Sequence, residues 1–186
     1  MTEHATIELC LSGPYPLLPT HPDTIFRQAE AWRPGIFVWA FLYNQAYRIC
    51  RVGAADESVG ATQAGLLAAL LEGRLLFHDA AARERGEPRV AFTPGGPRED
   101  YLARADDLAA EVSALAVFFA PLDDAGNRRT RIAAAVNAHI QRLGGKALDW
   151  LSAVSETGSD TPAEQLVVRF YRPALMISMP DELRVG

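Results

Sequence analysis

The sequence predicts an α+β protein in which helices flank a small, mixed, mainly antiparallel β-sheet. Short β-branched and aromatic runs alternate along the chain with longer segments whose apolar residues recur at helical spacing. This alternation also leaves an α/β arrangement open. Hydrophobic residues make up 49% of the 186 residues and charged residues 22%, which is typical of a folded chain with a substantial core. At this length we expect a single domain over residues 1–186.

The first elements are expected to be a strand, an irregular connector and a short helix. Residues 5–13 alternate between apolar and polar and predict a strand, whereas the prolines of residues 14–23 argue against regular structure. Asp23 or Thr24 can cap a short helix that runs through Trp32 and stops before the Pro34-Gly35 pair.

Residues 34–53 predict a β-hairpin. The nearly continuous apolar run 35–42 indicates a central strand buried on both faces, and residues 43–46 form the turn. The second strand covers residues 47–52 and is expected to end at Gly53. Arg48 and Arg51 lie three positions apart on it, so a regular pleat puts them on opposite faces and excludes a shared patch.

The rest of the chain predicts helices separated by short strands. Ser58 is expected to cap a helix that runs to Glu72. Its apolar stripe consists of Leu66, Leu67, Leu70 and Leu71. After it we expect a short helix over 77–85, a strand at 89–92 inside a surface connection, and a helix over 98–111. A buried strand at 115–122 and a helix over 127–143 follow, and this helix is expected to bury Ile132, Val136, Ile140 and Leu143. The last predictions are a polar loop over 154–165, a strand at 166–172 and an apolar run at 175–179.

Charge and cysteine content limit the classes of partner. The formal net charge of −5 argues against a general attraction to nucleic acid and leaves a local basic patch as the means of binding it. Cys10 and Cys50 are isolated, no targeting segment opens the chain, and no run approaches the roughly 20 apolar residues of a membrane span. We therefore expect a cytoplasmic protein with reduced thiols and no membrane partner.

The hairpin resembles a known family. Gly35-Ile36-Phe37 on the first strand and Arg51-Val52-Gly53 on the second, followed by a helix, resemble the GIY-YIG nuclease-like domain. A later strand and helix ending in RIAAAVNAHI fit the same pattern, so the resemblance covers residues 34–143 and leaves N- and C-terminal decorations. It implies a small antiparallel sheet flanked by helices. In active members of the family it also implies cleavage of DNA phosphodiesters with one divalent metal ion.

The resemblance further implies where the catalytic groups of the family would fall, and this sequence departs from the pattern at each position. Phe37 and Arg51 stand in place of the two tyrosines of the family. Ala61 or Thr62 stands in place of its arginine, and Leu66 stands in place of the histidine found in some members. The position of the metal-binding glutamate falls on Ala133, or on Ile132 or Ala134 beside it. Phenylalanine lacks a hydroxyl, arginine cannot act as a base at neutral pH, and the helix over 127–143 has no carboxylate. The expected function is therefore a binding or interaction module without nuclease activity, cofactor or metal.

Two places can bind an anionic ligand. Arg51 puts a permanent cation where a catalytic hydroxyl would stand, with an ordinary exposed arginine over the polar face of the sheet as the alternative. The helix start at 127–131 offers backbone N–H groups and guanidinium groups, while Asp123 and Asp124 just upstream offer local ion pairs instead. The ligand-binding candidates at this helix start are Asn127, Arg128, Arg129 and Arg131.

Two further functions stay open. A divergent nuclease or phosphodiesterase could use relocated groups such as Asp56, Glu57 or His78, and it would then need Mg²⁺ or Mn²⁺. An accessory protein could instead bind a partner protein, or a second copy of itself, through an apolar surface. His139 is expected to pack on its helix face, and Trp32, Trp39 and Trp150 are expected to be core or rim aromatics.

Overall fold

The structure is a computed structural model that describes residues 5–87, 89–123, 127–143 and 165–186. Asp124, Trp150 and most of the loop predicted at 154–165 lie outside the described residues. The strands are β1 Ala5–Cys10, β2 Ser12–Pro16, β3 Gly35–Tyr43, β4 Ala46–Ala55, β5 Phe77–His78, β6 Val90–Phe92, β7 Ala116–Pro121, β8 Leu166–Tyr171, β9 Met176–Ile177 and β10 Glu182–Val185. The helices are α1 Val59–Leu71, α2 Ala80–Glu84, α3 Arg98–Leu102, α4 Ala105–Ala114 and α5 Arg128–Leu143, with short 3₁₀ helices at Ile25–Arg27 and Ala29–Trp32.

A five-stranded sheet organises the fold. Its strand order is β2-β7-β3-β4-β9, and all of its pairings are antiparallel except the short one between β4 and β9. The N-terminal strand β1 lies parallel to β8, which also pairs with β10, so the two ends of the chain build a separate three-stranded sheet. β5 and β6 form a small ribbon. The predicted α+β class is confirmed.

The central strand β3 separates two apolar layers. Ile36, Val38 and Ala40 face one layer, which contains α5 and the three-stranded sheet. Phe37, Trp39 and Phe41 alternate with them and face the other layer, which contains α1, α4 and the β5–β6 ribbon. The prediction that this strand is central and buried on both faces is confirmed, because β4 and β7 flank it and its residues through Phe41 are buried.

The predicted hairpin is present, with one difference at its end. Asn44 and Gln45 both have positive φ, as a two-residue turn between twisted antiparallel strands requires. β4 continues past Gly53 to Ala55, so the expectation that Gly53 ends the strand is wrong. Gly53 instead makes room for an aromatic ring, because a Cβ at this position would lie 2.4 Å from Cζ of Phe37.

The N-terminal predictions are partly wrong. The proline-containing segment 12–16 is the strand β2, and its place at the edge of the sheet tolerates residues that lack an N–H group. The single helix expected up to Trp32 is two 3₁₀ turns, with Gln28 extended between them.

Three later predictions also differ from the structure. The expected helix over 77–85 begins as strand β5, and Asp79 then caps α2 by accepting a hydrogen bond from the Ala82 N–H. The helix expected over 98–111 is broken at 103–104 into α3 and α4, where the backbone of Arg104 leaves the helical conformation, and Tyr101 of α3 packs against the rings of the β5–β6 ribbon. Strand β10 was not predicted. Its four residues become a strand through pairing with β8, which is distant in sequence.

The helix that follows the hairpin is as predicted at its start. The Ser58 side chain accepts a hydrogen bond of 3.0 Å from the Ala61 N–H. In its apolar stripe, however, Leu71 is exposed, and Leu143 is likewise exposed at the end of α5.

Candidate functional site

A β-bulge in the hairpin decides where two arginines lie. Trp39 of β3 is opposite Arg51, and the next residue, Ala40, is opposite Ile49, so Cys50 is the extra residue of β4. The bulge shifts the alternation of β4 by one position. Arg48 therefore lies opposite Phe41, on the same face as Arg51, and the prediction that the two arginines face opposite ways is wrong.

Three aromatic rings on this face of β3, those of Trp39, Phe41 and Tyr43, each lie beneath a guanidinium group. The Cζ atom of Arg51 is 5.4 Å from the ring centroid of Trp39, and that of Arg48 is 5.9 Å from the centroid of Tyr43. Arg83, from α2, lies 5.0 Å from the centroid of Phe41 between them. Such cation–π contacts hold the guanidinium groups in place and leave their N–H groups able to donate.

Gln63 of α1 completes a small cluster around Trp39. The indole Nε1–H donates a hydrogen bond to Gln63 Oε1, and both side chains are buried. Gln63 Nε2 and Arg51 Nε are also buried, and neither has a hydrogen-bond partner among the described residues. Buried donors of this kind normally have an acceptor. We call Trp39, Arg51 and Gln63 the arginine–indole site.

In the part of the chain that the structure describes, the arginine–indole site carries a positive charge without a counter-charge. Within the described residues, neither Arg48 nor Arg51 forms an ion pair with a carboxylate. Burial lowers the pKa of Arg51, because a desolvated guanidinium is less stable in its charged form. Arginine nevertheless stays protonated at neutral pH. An anionic group bound beside Arg51 would offset the free-energy cost of this desolvation.

A buried ionic network lies next to the site. Glu111 of α4 accepts a 2.9 Å bond from Arg83 Nη1, and its other oxygen is 3.0 Å from His78 Nδ1. All three side chains are at least nine-tenths buried. The Cys50 thiol is buried nearby, and burial together with the negative field of Glu111 raises its pKa well above the usual value. Arg83 is thus neutralised by a carboxylate, in contrast to Arg51.

The predicted anion site at the start of α5 is tied to other parts of the chain. Arg129 is buried and donates 3.0 Å and 3.3 Å bonds to the Leu122 carbonyl and to Asp56 Oδ1. Asp123 pairs with Arg33, from the segment before β3. Asn127 is exposed, and Arg128 and Arg131 are half-buried. The ion pairs and hydrogen bonds of this region therefore connect the start of α5 and the segment before β3 to the loops that contain Asp56 and Asp123.

The positions implied by the family resemblance do not gather in one place. Phe37 and Arg51 lie on the sheet face that is covered by α1. Leu66 packs at the edge of the same layer, while Ala61 is exposed. Ala133 belongs to the apolar layer on the opposite face. The Thr62 hydroxyl donates to the Ser58 carbonyl and so belongs to the start of α1.

The groups proposed for relocated hydrolytic chemistry are also separate. Asp56 contacts Arg129, Glu57 is exposed, and His78 is buried against Glu111. Among the residues that the structure describes, no group of three or more His, Cys, Asp or Glu side chains is arranged to hold a metal ion.

Gln63 and Glu111 were not identified from the sequence, although a signal was present. Gln63 stands four and seven positions before Leu67 and Leu70, so it lies on the apolar stripe of its helix. Glu111 falls among Leu108, Val112 and Leu115 in the same way. A polar residue on an apolar stripe must find a partner in the core, and this pattern could have indicated both residues.

Comparison with other proteins adds no assignment. No family model, no curated protein and no solved structure matches this chain. None of the helices in the described parts of the chain is long and apolar enough to cross a membrane.

Proposed function

We propose that this chain is a GIY-YIG-like domain without nuclease activity that works as a binding module and recognises an anionic group at the arginine–indole site. The observation that carries this proposal is a pair of donors, Arg51 Nε and Gln63 Nε2, that are buried beside one indole ring and have no hydrogen-bond partner among the described residues. A positive charge without a counter-charge next to an unsatisfied amide is unfavourable unless a ligand binds there.

The order of the strands and helices supports the proposed GIY-YIG-like fold. The hairpin β3–β4 leads into α1, and the later strand β7 pairs antiparallel with β3 before α5 follows. Arg51 replaces a catalytic tyrosine of the family pattern. A guanidinium group in that place favours binding of an anion over activation of water.

Phosphate-rich polymers fit the charge distribution less well than a protein partner does. At least eight arginines of the described residues pair with carboxylates, namely Arg33, Arg74, Arg83, Arg85, Arg104, Arg129, Arg169 and Arg172. The net charge is −5. Binding of nucleic acid relies on clustered cations that are free to replace counterions. We therefore place the anionic group on a protein partner.

Thermal unfolding in the presence of anions tests the proposal. Wild type and Arg51→Gln are compared in acetate, phosphate and chloride at equal ionic strength, since phosphate also stabilises proteins without binding to a site. We expect at least one anion to raise the Tm of wild type relative to chloride more than it raises that of Arg51→Gln. Equal increments in both proteins for every anion would contradict anion recognition at this site.

Cleavage assays test the other half of the proposal. Labelled single- and double-stranded DNA and RNA are incubated with the protein and Mg²⁺ or Mn²⁺, and we expect no cleavage. Metal-dependent cleavage that disappears in Asp56→Ala or Glu57→Ala would establish the divergent nuclease instead.

A further inference from the structure

We infer that the anionic group recognised at the arginine–indole site is a carboxylate. This inference rests on the proposed function and names the class of its ligand. It follows from the shape of the available donors, from their number and from the charge around them.

The shape of the arginine favours a planar ligand. The Arg51 guanidinium lies over the Trp39 indole, and its buried Nε–H has no acceptor among the described residues. The Nε–H and the neighbouring Nη–H of a guanidinium point the same way and match the two oxygens of a carboxylate.

The buried donors also match a carboxylate in number. Gln63 has no exposed surface, and its Oε1 is occupied by the Trp39 indole N–H. Its Nε2 is therefore the free end of the amide, and it finds no acceptor in the described structure. Arg51 and Gln63 both contact the Trp39 indole, so two donors without an acceptor in the described structure lie beside one ring.

The charge around the site favours a monoanion. Arg51 supplies one positive charge, and Arg48 is two residue pairs, about 7 Å, further along the hairpin. A carboxylate neutralises Arg51, whereas a phosphate monoester with about −1.5 to −2 charges would leave negative charge in a desolvated place.

Titration of the wild-type protein, followed by NMR of the arginine Nε–H and tryptophan Nε1–H groups, tests the inference. The probes are propionate for a free acid, N-acetylglutamate N-methylamide for an acidic side chain, and inorganic phosphate, all at equal ionic strength and neutral pH. We expect the Arg51 and Trp39 resonances to shift and saturate with a carboxylate at about ten-fold lower concentration than with phosphate. Stronger binding of the glutamate probe than of propionate would indicate an acidic side chain of a protein partner, and the reverse would indicate a free acid and contradict the proposed protein partner.

Substitutions provide the controls. Arg51→Lys keeps the charge and removes the paired donors, so carboxylate affinity should fall about ten-fold, and Gln63→Leu should also weaken it. Arg169→Lys changes an exposed arginine that is paired with Glu182 and should have no effect.

The outcomes distinguish the carboxylate inference from the proposed recognition of an anion. Phosphate binding at Arg51 as tight as carboxylate binding would overturn the inference and leave anion recognition standing. No shift of Arg51 with any probe would overturn both. Unchanged carboxylate affinity in Arg51→Lys would contradict a contact in which the Nε–H and Nη–H of Arg51 both donate to the carboxylate. The wild-type titration does not depend on the folding of any variant.

Discussion

Glu111 carries a negative charge into the core, where Arg83 and His78 both contact its carboxylate. Replacing Glu111 by Gln leaves the Arg83 cation buried without a counter-charge. We expect a loss of about 3 kcal/mol in the free energy of unfolding, measured by urea denaturation. Glu182→Gln is the matched control, because it breaks the exposed pair with Arg169 and should change the same quantity by less than about 1 kcal/mol. Similar losses in both variants would show that the network contributes no more than a surface pair.

Gly53 and Gly65 differ in the space around them, although they lie on adjacent elements, β4 and α1. A Cβ at Gly53 would meet the Phe37 ring at 2.4 to 3.1 Å, whereas one at Gly65 meets nothing within 4 Å. Gly53→Ala should therefore lower the free energy of unfolding by about 1–3 kcal/mol, since Phe37 is buried and must move. Gly65→Ala in α1 should raise it by about 0.5–1 kcal/mol. Chemical denaturation of both variants checks the contrast, and a neutral Gly53→Ala would mean that the ring shifts freely.

Single residues were predictable where one local cause decides their role. Ser58 is a helix cap because it lies just before a helix, whatever surrounds it. Arg51 was identified as a candidate cation, but its partners Trp39 and Gln63 come from two other elements. No spacing in the sequence links Gln63 to Trp39, so their hydrogen bond had to be read from the packing of α1 on β3.

At the scale of the element, the bulge in β4 has the largest consequence for the candidate site. The bulge buries Cys50 while Cys10 of β1 stays exposed. Because the thiolate is the reactive form and burial raises the pKa of Cys50, a thiol reagent should modify Cys10 quickly and Cys50 after unfolding. Absorbance with Ellman's reagent, before and after denaturant, measures this. Cys10→Ser should remove the fast phase, and a fast phase that persists would place the Cys50 thiol at the surface.

Elements with strong local patterns were predicted well, and short ones were not. The hairpin, α1 and α5 each have a long apolar pattern or a cap that favours one conformation. β5 and β10 have two and four residues, too few for a periodicity, and pairing with a distant strand determines them. The break between α3 and α4 likewise depends on where Tyr101 packs.

At the scale of the whole molecule, ion pairing affects which partners can bind. Net charge and the carboxylate-paired arginines predict no retardation of single- or double-stranded DNA or RNA at physiological salt, with protein up to about 10 µM. Electrophoretic mobility at several salt concentrations tests this. Retardation that weakens with added salt and in Arg128→Ala would show that a basic patch is available, contrary to the proposed protein partner.

The sequence by itself determined the α+β class, the central hairpin, the two long helices and Arg51 as a candidate cation on the second strand of the hairpin. These follow from apolar periodicity, turn residues and caps, which act within a few residues. The tertiary structure decided that the two chain ends share a sheet, that Arg48 and Arg51 share a face, and that Gln63 meets Trp39. The physical reason is that strand partners, one inserted residue and buried polar contacts depend on segments far apart in the chain, and no local pattern records which of them will meet.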